Sequence, residues 1–258
     1  MHRRTFLRKG ISLLAGVCGG LGAFSSVRAG TGQRERSVWP RIALIIDDIG
    51  YSRSKARQFY RFGIPITFSV LPRLPYSAGL ASEIYGRGQE IMLHQPMEPY
   101  NATFDPGPGA LYIGYRLEQI VRIISENIAQ VPYITGVNNH MGSRFTSSQK
   151  EIGRALRAIR HQGLFFIDSV TSTRSKAYQT ARRLRMAAAR RDVFLDNQQD
   201  ESQIMSQLLK LKDCARRYGN AIGIGHPYPE TARALRQFLE HVDLADVSFV
   251  HVSKILYT

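Results

Sequence analysis

The sequence predicts an α/β fold built on a mostly parallel sheet with barrel-like closure. Three observations point there. Apolar runs of strand length alternate with helical patterns from residue 41 to the end. The runs are continuous rather than alternating, as strands buried on both faces should be. Eight candidate strands fall within about 220 residues, more readily a closed sheet than a doubly wound one.

Taken in order, strands are expected near 42–46 (IALII), 66–70, 90–94, 134–138, 164–167, 192–195, 221–224 and 246–251. Helices are expected near 52–62, 76–87, 116–129, 148–161, 199–218 and 229–240. Pro227 would end the strand before it, and Pro229 suits the first turn of the helix that follows. The one long irregular connection, QPMEPYNATFDPGPGALYIGYR, reads as a loop over one mouth of the barrel.

Residues 1–29 differ from the rest. A basic start, an apolar run from Ile11 to Phe24 and the small-residue ending at Val27 and Ala29 make an export signal. Arg3-Arg4 before Thr5, Phe6 and Leu7 resembles a twin-arginine signal, so export to the periplasm is expected, with cleavage after Ala29. The apolar run is short and glycine-rich, so no stable transmembrane anchor is expected. Residues 30–40, GTGQRERSVWP, read as a linker, and residues 41–258 as one domain.

Cleavage would remove Cys18 and leave Cys214 alone, which excludes an intrachain disulfide. It would also take five of the 35 basic residues and none of the 20 acidic ones, leaving a net charge near +10. Such a surface favours anionic polymers, and export argues against nucleic acid as the partner.

In parallel α/β folds functional groups gather where strands end. Those positions hold Asp47 and Asp48 after the first strand, His94, then Asn138, Asn139 and His140, then Asp168, Asp196 and His226. Adjacent carboxylates repel unless a cation lies close by. Two histidines and a carboxylate suit a divalent metal, zinc first, and Asp48, His94 and His140 fit that set. Asp47 could then take a proton from metal-bound water, and His226 could protonate the leaving group. Asp168 could orient His226, or simply cap the helix after SVTS.

These motifs resemble the polysaccharide deacetylases of the NodB-homology type, and more closely their divergent exported branch, over roughly residues 40–256. IDDIG looks like the family's first motif, which implies Asp47 as base and Asp48 as metal ligand. In EIMLHQPMEP, His94 matches the second motif but Glu98 stands where a second His is usual. GVNNHMGS occupies the place of the usual Arg-Pro-Pro motif, so either Glu98 or His140 completes the metal site, with His140 favoured. Glu98 is then a substrate contact or a support for the ligands. With that motif lost, Asn138 or Arg144 is the candidate to orient the base. FFIDSVTS looks like the fourth, groove-lining motif, and GIGHPYPET the last, which implies His226 as general acid.

The resemblance implies a distorted (β/α) barrel of seven to eight strands. It also implies a metal-dependent hydrolase that removes acyl groups, acetyl first, from an envelope polysaccharide. The competing expectation is a non-catalytic module that binds glycan or protein on the same barrel.

Overall fold

The computed structural model describes residues 39–256; the expected leader and most of the expected linker lie outside them. The described residues form nine strands, seven α-helices and a terminal 3₁₀ turn: β1 Arg41–Ile49, α1 Arg53–Arg57, β2 Thr67–Val70, α2 Ser77–Tyr85, β3 Glu90–Met97, α3 Leu117–Gln130, β4 Ile134–Met141, α4 Gln149–His161, β5 Phe165–Asp168, α5 Ala177–Arg183, β6 Ala188–Arg190, β7 Val193–Phe194, α6 Glu201–Tyr218, β8 Asn220–Gly225, α7 Pro229–His241, β9 Ser248–Phe249 and the turn Val252–Ile255. None of the helices is long and apolar enough to cross a membrane.

Every strand pair is parallel, in the order β6-β5-β4-β3-β2-β1-β8-β7, with β9 beside the start of β1. The sheet's two edges, β6 and β7, are successive in the chain, with Arg191 and Asp192 alone between them. Three virtual bonds span at most about 11 Å, so the edges must meet and the sheet must curl into a barrel. The seam is stitched by the main chain: the Arg191 N–H donates to Asp168 O at 3.0 Å and the Asp192 N–H to Ile222 O at 2.9 Å.

Strand periodicity sorts the core into two parts. Leu44, Ile46, Ile91, Leu93, Val137, Phe166 and Ala221 point outward beneath the helices, in one large apolar cluster. Ala43, Ile45, Met92, Phe165, Ile167, Ile222 and Ile224 point inward and fill the barrel. Val252 and Ile255 plug its lower end, where Val252 N–H donates to Thr67 Oγ1. Gly136 belongs to the interior, because a Cβ there would overlap the Phe165 ring. Gly136→Ala is expected to cost about 1–3 kcal/mol, read as a fall in thermal midpoint.

The helix ends follow their sequence. Asp200 caps α6 by accepting from Gln203 N–H at 3.0 Å, Gly219 ends it at φ 83°, and Pro229 opens α7. The expected helix at 52–62 shrinks to Arg53–Arg57, and α5 and β6 are additions to the expected elements.

Candidate metal centre and active site

The inward stripe of each strand continues upward into polar residues. Asp47 follows Ala43 and Ile45; His94 follows Met92; Asn138 and His140 follow Gly136; Ser169 follows Phe165 and Ile167; His226 follows Ile222 and Ile224. Period two therefore delivers these side chains to the top of one barrel interior. Asp47, His94, His140, Ser169 and His226 border a cavity of about 430 Å3 shared with Asn139, Arg191 and Phe194, and Asn138 is fully buried behind them.

Asp48 should face away from Asp47 by the same rule. It does not, because β1 bulges: its register against β2 shifts between Ile46 and Ile49, and Asp48 adopts φ 57°. The extra residue re-aims the second carboxylate into the cleft beside the first.

Asp48 Oδ1 lies 3.2 Å from His94 Nε2 and 3.0 Å from His140 Nδ1, and those two nitrogens are 3.2 Å apart. Among the described residues nothing donates a well-aligned hydrogen bond to that buried oxygen. His94 Nδ1 faces Asn138 Oδ1 at 2.7 Å, which places the ring proton on Nδ1 and leaves a lone pair on Nε2. Carboxylate and imidazole lone pairs thus face one small volume, a donor set that fits a divalent cation.

Burial pushes Asp48 upward, but the His140 and His94 imidazoles pull it far below the usual carboxylate range. Burial pushes His94 down, and Asp47 and Asp48 more than reverse this. Asp47 is raised by burial, against the opposing pull of His94, His226 and the Asn138 amide.

Asn138 ties the cluster together. Its Nδ2 donates to Asp47 Oδ1 at 2.8 Å and to Ser169 Oγ at 3.3 Å, while its Oδ1 accepts from His94 and from Ser69. Across the cavity, His226 Nε2 is 3.9 Å from Asp48 Oδ2, and His226 Nδ1 meets Asp196 Oδ1 at 2.9 Å. Asp196 Oδ2 accepts from the His226 main-chain N–H at 2.5 Å and from Thr231 Oγ1 at 2.8 Å.

Three expected residues stand elsewhere. Asp168 does not hold His226: it belongs to the outward stripe of β5, accepts from Val170 N–H, Ser175 Oγ and Tyr178 N–H, and so fixes the start of α5. Asp196 takes the place expected of it, since β7 pairs directly with β8. Glu98 lies outside the cluster, its carboxylate taken by Arg144 Nη1 and Ile113 N–H, both at 2.7 Å. Arg144 is thereby committed to Glu98 rather than to Asp47. Asn139 stays at the cavity's rim and supports it, accepting from Ser169 N–H at 3.0 Å and donating to Met141 O at 2.8 Å. Arg191 and Ser69 were not legible as site residues: Arg191 stands in the seam beyond the unrecognised β6, and Ser69 lies within an apolar run.

Residues 44–256 match the model of a family described as divergent polysaccharide deacetylase. The chain belongs to that family. It is 34% identical over 216 residues to the uncharacterized protein YibQ of Escherichia coli K12, covering 84% of this chain and 67% of the relative. An uncharacterized protein of Agrobacterium tumefaciens C58 has a similar crystal structure, with a TM-score of 0.79 and 26% identity over 84% of this chain and 89% of that one. The catalytic domain of a peptidoglycan N-acetylglucosamine deacetylase from Eubacterium rectale shares the fold, with a TM-score of 0.51 and 14% identity over 83% of this chain and 89% of that one.

In this member of the divergent polysaccharide deacetylase family, burial lowers His226, but the Asp196 hydrogen bond and the nearby carboxylates raise it to about 9. A folded value above the unfolded 6.5 means the pairing stabilises the fold fully below about pH 6.5 and fades as pH rises through about 9. Asp196→Asn is expected to bring the His226 midpoint back toward 6.5 in the metal-free protein, read by NMR titration of the imidazole. An unmoved midpoint would show that Asp196 does not set it.

Proposed function

We propose that this protein is a metal-dependent hydrolase that removes acyl groups, acetyl first, from an envelope carbohydrate, acting in the periplasm after export directed by residues 1–29. The observation that carries the reading is the Asp48, His94 and His140 cluster, with Asp47 beside it and a paired His226 across the same cavity. Asp48, His94 and His140 would hold the metal, with zinc the first expectation for such a donor set. When bound, it supplies Lewis acidity to an acyl carbonyl and lowers the pKa of a water.

The chain's own groups supply the proton transfers. Asp47, its proton affinity raised by burial, accepts the proton from water through Oδ2, since Oδ1 is engaged by Asn138. His226 is protonated at neutral pH and presents Nε2 to the cavity, because Nδ1 is held by Asp196. It protonates the departing nitrogen or oxygen as the acyl bond breaks, releasing acetate and a free amine or hydroxyl. In this reading a carboxylate base and an imidazolium acid flank the acyl group from opposite sides of the cavity.

The test is acetate release from N-acetylated and O-acetylated glycan oligomers by the zinc-loaded protein, with and without chelator. Chelator-sensitive release supports the hydrolase. Saturable glycan binding without release would put the non-catalytic module in its place.

A further inference from the structure

Two hollows meet at Arg191. One is the site cavity; the other, of about 350 Å3, is lined by Gln203, Gln207 and Lys210 of α6 together with Asp192. Arg191, Phe194 and Asn197 border both. The three α6 residues sit at i, i+4 and i+7, so one helical stripe floors the second hollow.

Arg191 is half-buried and held in place. Its Nε donates to Ser169 O at 2.7 Å, one Nη to Val170 O at 2.9 Å, and its guanidinium lies 4.7 Å from the Phe194 ring centre. That uses two of five N–H donors. Among the described residues no carboxylate comes within ion-pair distance of Arg191 or Lys210. Asp192, the acid that lines the second hollow, accepts from the Ile222 N–H through Oδ2. Asp47, Asp168 and Asp192 act on the Arg191 charge at longer range without pairing with it. A partly desolvated, pre-oriented guanidinium with donors to spare and no direct ion pair is a receptor for an oxyanion.

Resting on the hydrolase reading above, we infer that the substrate glycan is acidic: a carboxylate or phosphate on the sugar beside the scissile acyl group docks on Arg191, and the chain runs on across α6 toward Lys210. The basic seam thus selects among acetylated glycans by charge.

The test uses the Asp47→Asn protein, so that substrate persists, and N-acetylglucosamine tetramers whose 6-hydroxyls are free, oxidised to carboxylates, or phosphorylated. Affinity is measured by calorimetry. At least one acidic tetramer should bind about tenfold more tightly than the neutral one, and the better of the two names the acid. Arg191→Gln should abolish the preference, weakening acidic tetramers about tenfold more than the neutral one. Lys210→Gln, at an exposed position, should reduce it by a smaller factor even if Arg191→Gln fails to fold. Arg157→Gln on α4, a charge-matched control, should leave it unchanged.

Equal affinity for acidic and neutral tetramers overturns the inference. So does an equal loss in the Arg157→Gln control, which would assign the preference to net charge. A third overturning result is slower turnover of the neutral tetramer in the Arg191→Gln variant of the active protein with the preference intact, because Arg191 would then act on Asp47. Acetate release from the neutral tetramer without acid preference would sink this inference and spare the hydrolase; acid preference without any release would do the reverse.

Discussion

Replacing Asp47 with asparagine is expected to lower turnover by about 10²- to 10⁴-fold while leaving bound metal and substrate affinity unchanged. The amide keeps the shape of the carboxyl and an acceptor for Asn138 Nδ2, now 2.8 Å from Asp47 Oδ1, but it cannot take a proton. Asp47 is not one of the three converging donors, so metal content should hold at the parent level. Stability should not fall. Burial raises the Asp47 pKa, so the ionised form opposes folding above the unfolded value of 3.8 and the opposition vanishes below it. A neutral amide removes that opposition at pH 7. Acetate release, elemental mass spectrometry and a thermal melt on one preparation check all three points. Loss of metal would instead make Asp47 a ligand.

His94→Ala is expected to abolish both metal and turnover. It removes one of three donors and leaves Asn138 Oδ1 with Ser69 as its remaining donor in a buried pocket. The missing partner and the void together should cost roughly 2–4 kcal/mol of stability, so the variant is best examined well below its melting point. His161→Ala, on the exposed end of α4, should retain the parent's metal. Metal retained by the His94→Ala variant at the parent's stoichiometry would show that the cation is held by other residues.

Most of this architecture was legible in the sequence because buried parallel strands leave an apolar signature that needs no partner to be seen. β6 escaped because its residues, Ala188 to Arg190, have little β preference, and α5 because seven residues carry barely two turns of periodicity. The site was legible as a set of strand ends, but not in its pairings. Asp168 and Asp196 look alike in the chain. Position along β5 turns Asp168 outward, as Phe166 is, whereas curling of the sheet sets Asp196 next to His226. Counting residues from Ile167 would have revealed the first. The second depends on closure, which no local pattern records. The joint use of Asp47 and Asp48 depends on a bulge, and Glu98 was diverted by a loop whose course is set by Arg144 and Ile113.

The seam between β6 and β7 also sets an order of assembly. From β1 to β6 each strand pairs with one laid down shortly before it, so the half of the sheet bearing Asp48, His94 and His140 can form from short-range contacts. The pairing of β1 with β8 joins Ile46 to Gly225, about 180 residues apart, and closing so long a loop is the slow, entropically costly event. The half that carries Asp48, His94 and His140 is therefore expected to form before the half that brings His226 and Asp196, which pulse-labelled hydrogen exchange during refolding would read as earlier protection of β2 to β4 than of β8. On the proposed function, a chain that bound a cation early would gain a nucleus against which the late strands could dock, with the His226 strand joining last.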